Sequence, residues 1–313
     1  MAASHRAAAP GTGRSLARSR PRYGETVIKA ILLLAALVSV ATTIGIVAAL
    51  LEPTIEFFGA VTFGEFFGST SWGPLFKDPT FGVWPLIVAT LEITLIAIVV
   101  AVPLGLAAAI YLSEYATPRV RKIFKPVLEV LAGVPTVVFG FFALTFVTPL
   151  LRDLFPFLDL EAKNALGAGL LVGVMIIPIV ASLSEDAMAA VPNGLREGSF
   201  ALGASKMLTS VRVVVPAAFS GIVAAIILAV SRAAGETMIV AIAGGFKSVF
   251  TLYPGNEMAT MAAFIAQAGS GDVSVGTIGY KTIFAVGSLL FLMTFAMNYA
   301  SARMVQKYRE VYD

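Results

Sequence analysis

Six long apolar runs divide the chain, and short polar segments separate them. Their uncharged parts are Ala30–Leu51, Ile93–Ser113, Val130–Leu151, Asn164–Ser184, Val213–Ser231 and Thr282–Ala302. Each run approaches the ~20 residues that a helix needs to cross a hydrocarbon core of about 30 Å. A lipid-facing segment has to be helical, because only helices and closed barrels satisfy their backbone hydrogen bonds there. The pattern predicts an all-α integral membrane protein with six transmembrane helices, the second beginning near Val83 and including Glu92.

The composition supports a membrane protein rather than a soluble one. Of the 313 residues, 58% are hydrophobic and 13% are charged, and the mean hydropathy is +0.88. Soluble domains are about 25% charged. The net charge of +3 is modest and the basic residues cluster at the membrane margins, so nucleic acid is not an expected partner. Cysteine is absent, which excludes disulfides and thiolate metal sites, and the single histidine, His5, lies in a polar leader.

The distribution of basic residues predicts the orientation. Sixteen of the 22 lysines and arginines lie in the leader, after the second and fourth helices, and at the C-terminus, whereas five lie in the alternate segments. The positive-inside rule then places both termini and the 191–216 loop in the cytoplasm. The predicted segments are a disordered basic leader (1–26), a first transmembrane helix (27–51), an external Phe/Gly-rich segment (52–82), a five-helix transmembrane domain (83–303) and a cytoplasmic tail (304–313). The external segment, with FFGSTSWGPLF, is predicted to form an interfacial aromatic belt rather than a folded domain.

Arg232 and Glu236 are charged residues that directly follow an apolar run long enough to span a membrane, which is an unusual place for charges. Residues four apart share one face of a helix, and Arg232 would lie about 24 Å beyond Pro216 at 1.5 Å per residue. A charge at that depth is costly and usually faces a cavity or a partner. In one interpretation the two residues only neutralise each other within the bundle. In the other, the planar fork of Arg232 meets a passing anion, and Glu236 holds the guanidinium between substrates.

Glu92 is the other ionisable residue predicted to lie deep in the membrane, roughly 13 Å past Val83 at helical rise. One hypothesis places it across the bundle from Arg232 on the translocation path. The alternative is a glutamate hydrogen-bonded between helices. Glu129 lies near the inner end of the third helix and is interpreted as structural.

The segment between Pro192 and Pro216 is polar and rich in helix breakers, with glycines at 194, 198 and 203. These breakers favour a helix–turn–helix elbow, although an ordinary connection between helices fits the pattern too. No G-x-x-x-x-G-K-[ST] loop occurs, nor HExxH or Gly-x-Ser-x-Gly. If ATP drives this protein, another subunit has to bind it.

The stretch EGSFALGASKMLTSVRVVVP resembles the coupling loop of type I ABC importer permeases. Glu197, Gly203 and Pro216 match that pattern in spacing, and Gly198 and Ser199 replace its two alanines. The stretches LEVLAGVPTVVFGFFAL, SRAAGETMIVAIAGG and MATMAAFIAQAGSGD are similar to phosphate permeases of the PstC type. The resemblance covers roughly Val83 to the end of the chain.

The resemblance implies a type I ABC importer permease fold and ATP-driven import of inorganic phosphate by alternating access. It implies substrate contacts at Arg232 and Glu236, and docking of the Glu197–Pro216 loop in a groove of the ATPase. It also implies a PstA-type second permease, two PstB-type ATPases that hold ATP and Mg²⁺, a PstS-type external phosphate-binding protein, and no cofactor on this chain. A permease for another oxyanion and a secondary carrier remain the alternatives; an intramembrane enzyme lacks the motifs.

Overall fold

Helices form nearly all of the regular structure. The computed structural model describes residues 23–271 and 273–308, with side chains as far as Met304 at the C-terminal end. Within these residues the α-helices are α1 Tyr23–Ala60, α2 Phe63–Gly68, α3 Trp84–Ile110, α4 Pro118–Ala132, α5 Thr136–Phe142, α6 Thr148–Leu154, α7 Ala165–Ala189, α8 Asn193–Ala201, α9 Lys206–Thr209, α10 Val215–Ala217, α11 Phe219–Ala234, α12 Met261–Ser270 and α13 Ile278–Tyr308. The π turns are Tyr111–Tyr115, Ala143–Val147, Ser210–Val214 and Val240–Gly244, and Pro156–Leu158 is a 3₁₀ turn. Strands β1 (Trp72–Gly73) and β2 (Thr80–Phe81) form an antiparallel ribbon, with Trp72 opposite Phe81.

The prediction of an all-α membrane protein is confirmed. Five helical stretches in the described part of the chain are long and apolar enough to span a bilayer: Gly24–Ala60, Trp84–Tyr115, Thr136–Leu154, Ala165–Ala189 and Ile278–Met304. The bent pair Lys206–Ala217 and Phe219–Ala234 is a sixth if it is counted as one span. The orientation of the termini stays a prediction.

Two predicted helix limits are wrong. The first helix continues nine residues past Leu51 and ends at Ala60. The run Val130–Leu151 is not one helix, because α4 ends at Ala132 and α5 begins at Thr136. Pro135 causes this break, since it has no N–H to donate and disfavours a helical conformation for the residue before it.

The chain divides within α1 into two units, residues 1–49 and 50–313. In the described part of the first unit, the helix from Tyr23 to Ala49 exposes apolar side chains such as Leu32 and Leu34. A helix that is apolar all round is typical of a membrane span. Most of the predicted leader (1–26) lies outside the described residues, so its disorder stays a prediction.

The core of the second unit is the contact between α3 and α7. Ala89, Ile93 and Ala97 of α3 are fully buried and recur every four residues, which aligns them on one face. Gly169 and Gly173 of α7 lie against this face, so the two backbones approach closely. This contact fixes the position of the helix that carries Glu92.

Residues 52–82, predicted to be external and to form an interfacial aromatic belt, bury part of their aromatic side chains in a folded core. Phe57, Phe66 and Trp72 are buried in one apolar cluster together with the α12 side chain Phe264. The ring centroids of Phe57 and Phe66 lie 5.6 Å apart, and those of Trp72 and Phe264 lie 5.1 Å apart, in edge-to-face geometry. The buried rings therefore form the core of this segment and tie it to α12, whereas Phe63 and Phe76 stay exposed.

Hydrogen bonds and an ion pair join two loops, 155–164 and 245–260. The Lys247 ammonium donates to Glu161 Oε2 over 3.0 Å, and the backbone N–H of Glu257 donates to the same oxygen over 2.9 Å. The hydrogen bond from Lys247, followed by that from Glu257, lowers the pKa of Glu161 below its ordinary value of 4.5. The hydrogen bond to Glu161 raises the pKa of Lys247 above 10.5. The contact is therefore complete at neutral pH.

Gly169→Ala tests the close approach of α3 and α7. A Cβ atom at this glycine would lie 2.7 Å from Ile96 Cβ and 3.2 Å from the Ile93 carbonyl oxygen. We expect the substitution to lower the free energy of unfolding by about 1–3 kcal/mol, because the two backbones have to separate. The measurement is urea unfolding in detergent. The matched control is Gly269→Ala, a helical glycine with nothing within 4 Å of its Cβ position; equal destabilisation by the two changes would contradict the packing argument.

The pH dependence of stability tests the contact between Glu161 and Lys247. Since the folded pKa of Glu161 is depressed, its contribution is complete above pH 4.5 and is lost as the pH falls through the folded pKa. The raised pKa of Lys247 leaves its contribution complete below pH 10.5, with loss as the pH rises further. We expect the difference in Tm between the wild type and Glu161→Gln to shrink on acidification from pH 7 to pH 3. Parallel curves over that range would show that the charge contributes nothing.

Candidate functional site

The 191–216 loop folds as a helical elbow; it is called the coupling loop below after its predicted role. α8 is followed by Gly203, whose φ of +80° is a left-handed conformation that favours glycine. The segment Lys206–Ala217 comes next, and a bend of 72° separates it from α11. The predicted elbow geometry is present, but the helix after it begins at Phe219 and not at Pro216, which lies in α10 before the bend.

The surface of the coupling loop is apolar at its turn. Leu202, just before Gly203, is 90% exposed, and Met207, just after the turn, is 71% exposed. Glu197 and Gly198 lie on the exposed part of α8. Large exposed apolar side chains next to a sharp turn are typical of a contact with another protein. The part that these residues take in coupling stays a prediction.

Arg196 fastens the coupling loop to the end of the helix α3. Its guanidinium donates to Glu114 Oε1 over 2.9 Å, to the Met188 carbonyl over 2.8 Å and to the Val191 carbonyl over 2.6 Å. Glu114 is buried in the π turn Tyr111–Tyr115. We call this set of bonds the Arg196 clamp; it joins α8 to the ends of both α3 and α7.

Glu185, like Glu114, is a buried carboxylate that forms ion pairs with basic residues of another helix. Its buried carboxylate, on α7, forms ion pairs with Arg121 and Lys125 of α4, the latter at 3.0 Å.

Sequence reasoning missed both Glu114 and Glu185. The available signal was their position, because each is the first residue after an apolar run, those ending at Ser113 and Ser184.

Arg232 and Glu236 are brought together as predicted, with Arg232 Nη1 2.6 Å from Glu236 Oε2. They do not share a continuous helix, which corrects the sequence-based geometry. α11 ends at Ala234, and Glu236 lies in the break before the helical residues Met238 and Ile239. Counted from Phe219, Arg232 lies about 20 Å along α11 at 1.5 Å per residue.

The break explains why a glutamate stands at position 236. Its Oε1 accepts the backbone N–H groups of Met238 at 3.1 Å and of Ile239 at 3.4 Å. A helix that restarts inside a membrane leaves such donors unsatisfied unless a side chain caps them. Glu236 therefore has two functions: one oxygen caps the next helical segment, and the other holds Arg232.

The two members of the pair differ in exposure. The Glu236 side chain is 3% exposed, whereas that of Arg232 is 44% exposed. The guanidinium thus lies at the surface of this subunit while its counter-charge is buried. A side chain placed in this way can bind an ion that approaches from outside the bundle of this chain.

Glu92 is not joined to Arg232 by a hydrogen bond or an ion pair within the described part of the chain. It is half-buried, and its Oε2 atom has no hydrogen-bond partner there. A cavity of about 440 Å³ adjoins it, lined mainly by apolar side chains that include Leu95 and Leu252. Its role on the translocation path stays a prediction, as do those of Arg232 and Glu236.

Comparison with known proteins places the chain in a family. Residues 101–306 match the family described as "Binding-protein-dependent transport system inner membrane component". The chain is 36% identical over 232 residues to "Probable ABC transporter permease protein YqgH" of Bacillus subtilis (strain 168), which covers 72% of this chain and 74% of that protein. It is 35% identical over 248 residues to "Phosphate transport system permease protein PstC 1" of Mycobacterium tuberculosis (strain ATCC 25618 / H37Rv), which covers 72% and 73%.

A solved structure shares the fold. A chain of a bacterial alginate ABC transporter, crystallised with a pentasaccharide-bound periplasmic protein, aligns with a TM-score of 0.65 over 93% of this chain and 98% of that chain, at 13% identity. At this identity the likeness shows the fold alone, which is that of type I ABC importer permeases. With the match to residues 101–306 and the relatives above, the chain belongs to the family of binding-protein-dependent transport system inner membrane components.

Proposed function

We propose that this chain is the PstC-type permease subunit of an importer that moves inorganic phosphate into the cytoplasm with energy from ATP. The observation that carries the proposal is the half-exposed Arg232 guanidinium held against the buried Glu236 carboxylate. The relative from Mycobacterium tuberculosis that is named a phosphate transport permease supports the choice of substrate.

The chemistry of Arg232 suits a tetrahedral oxyanion. Its guanidinium carries five N–H donors, and within the described residues its hydrogen bond to Glu236 uses Nη1 alone. The donors on Nε and Nη2 remain for the oxygens of an ion, in the bidentate geometry that arginine makes with phosphate. Glu236 keeps the guanidinium in place between ions and weakens its hold on each, so a bound anion can leave again.

The exposure of Arg232 implies a second permease. A guanidinium that faced lipid at this depth would be costly, so its exposed side faces a cavity or another subunit. We infer that a PstA-type permease completes the path along this face. A PstS-type protein delivers phosphate from outside, and two PstB-type ATPases bind ATP and Mg²⁺, leaving this chain without a cofactor.

Coupling to the ATPase follows from the elbow. In this proposal Leu202 and Met207 enter a groove of the ATPase, and Gly203 supplies the turn between them. Movement of α8 passes to α3 through the Arg196 clamp, and movement of the Lys206–Ala217 segment passes to α11 through the bend. A push of this kind shifts the two access states only if the elbow contacts differ between them.

Two other functions make different experimental predictions. A permease for another oxyanion would use the same arginine, whereas a secondary carrier would use Glu92 or Glu236 to relay protons. The deciding experiment is uptake into vesicles that contain the purified four-component system. Phosphate uptake that needs ATP and the binding protein supports the proposal; preference for sulfate supports the first alternative, and uptake driven by a proton gradient without ATP supports the second.

Substitution of Arg232 tests the anion contact. We expect Arg232→Gln to lower phosphate uptake by about 100-fold or more, since two charge-assisted hydrogen bonds of about 1.5–3 kcal/mol each are lost. The change also leaves the buried Glu236 without its counter-charge, which by itself destabilises the fold.

The double variant Arg232→Gln/Glu236→Gln separates the two effects. Glutamine at 236 keeps a carbonyl oxygen for the N–H groups of Met238 and Ile239, so we expect this variant to assemble and remain inactive. Co-purification of the ATPase measures assembly, and ³²P-phosphate uptake measures activity. Recovery of uptake in the double variant would show that the pair is structural.

Substitution of Glu114 tests the Arg196 clamp. We expect Glu114→Gln to leave the complex assembled and hydrolysing ATP, with phosphate imported per ATP lowered by about tenfold, because one charged hydrogen bond between α8 and α3 is weakened. The control is Glu129→Gln, an exposed carboxylate of α4 with no ion pair in the described residues. An unchanged ratio of phosphate to ATP in Glu114→Gln would contradict the transmission route.

A further inference from the structure

We propose that Lys163 is a second contact for the transported oxyanion, in a cavity that begins next to Glu236. This inference rests on the proposed function and adds a residue to it. The ligand class is a small inorganic oxyanion, bound here before or after its contact with Arg232.

The cavity extends from the helix break to loop 155–164. Its volume is about 540 Å³, within the ~300–1,000 Å³ typical of small-molecule sites. Met238 and Ile242 form one side, and Lys163, Phe246 and Gln267 lie around the rest. Since the backbone N–H of Met238 donates to Glu236, the cavity wall begins at a hydrogen-bond partner of that carboxylate.

Lys163 is the one charged residue that lines this cavity among the residues described. Its ammonium lies 5.4 Å from the centroid of the Phe246 ring, and no carboxylate in the described part of the chain forms an ion pair with it. Lys247, one residue after Phe246, instead contacts both Glu161 and Glu257. The fold therefore neutralises one lysine of these loops and leaves the other available to an anion.

Hydrogen bonds hold the backbone next to Lys163 and also the backbone of Phe246, whose ring contacts the ammonium. Asn164 is fully buried, its N–H donates to the Ala243 carbonyl over 2.8 Å, and its side chain caps α7 at the Gly167 N–H. The N–H of Phe246 donates to Glu257 Oε1 over 2.9 Å. Lys163 and the ring beneath it are thus held in place before a ligand arrives, which lowers the entropy lost on binding.

The resting contact of Lys163 is weak enough to exchange for an anion. Lys163 and Phe246 are both half-buried, and a cation–π contact of about 0.5–2 kcal/mol holds an ammonium less strongly than a direct ion pair in apolar surroundings does. The walls are largely apolar, so the field of the single positive charge extends into the cavity with little screening. Gln267 adds an amide that can donate to the same ion.

The absence of cysteine in this chain permits a test by chemical rescue. In a complex whose partner subunits are also free of cysteine, Lys163→Cys is expected to import phosphate about tenfold more slowly than the parent complex. Reaction of the new thiol with 2-aminoethyl methanethiosulfonate attaches an ammonium of similar reach, and we expect uptake to recover. Methyl methanethiosulfonate, which is neutral, and 2-sulfonatoethyl methanethiosulfonate, which is anionic, are expected to give no recovery.

Lys77→Cys is the matched control, because Lys77 is exposed and does not line the cavity; its uptake should be unchanged before and after each reagent. Parental uptake in Lys163→Cys, or equal rescue by the neutral reagent, would overturn the inference. If the cysteine variant assembles poorly, equal uptake by Lys163→Gln and Lys163→Arg would overturn it too. Absence of ATP-dependent phosphate uptake by the wild-type complex would contradict the proposed function instead.

Discussion

A chain inside a bilayer has to satisfy its own backbone hydrogen bonds, and this constraint determines where the transmembrane helices can be interrupted. Between α11 and the helical residues that follow it, the ladder stops at Ala234 and resumes at Met238. Glu236 accepts the two N–H groups that have no partner within the helix, and the interruption therefore leaves no buried donor unsatisfied there. The carboxylate that repairs the backbone is also the one that orients Arg232, which ties the charged pair to the fold itself.

Three of the four π turns in the described residues lie within or beside the Arg196 clamp, the elbow or the helix break at Glu236. The π turn Tyr111–Tyr115 contains Glu114, the turn Ser210–Val214 lies in the elbow, and the turn Val240–Gly244 follows the break at Glu236. A π turn inserts an extra residue and redirects the side chains on one side of it, and such turns are frequent at functional sites. The fourth, Ala143–Val147, lies between α5 and α6 and contains no charged residue.

The sequence alone predicted the class of the protein, the approximate helices, the elbow and the pairing of Arg232 with Glu236. These follow from hydropathy, helix breakers and the spacing of charges, which are local properties. It did not predict that α11 stops before Glu236, because a single glycine at 235 is compatible with either a helix end or a continuous membrane helix. The Arg196 clamp was also missed, since Glu114 is 82 residues away along the chain and nothing in one sequence pairs distant charges. The ring contact between Trp72 and Phe264 is long-range in the same way.

The 72° bend at the end of the coupling loop has a mechanical consequence. The twelve residues from Lys206 to Ala217 form an arm about 18 Å long at the helical rise of 1.5 Å per residue. If the arm turned by about 10° around Ala218, its free end would travel about 3 Å, which is similar in size to the helix shifts of about 1–2 Å at allosteric interfaces. Ala218, at the pivot, is buried, whereas Met207, near the other end of the arm, is exposed. In the proposed coupling, a small displacement of the exposed end would therefore be passed to the start of the helix that carries Arg232.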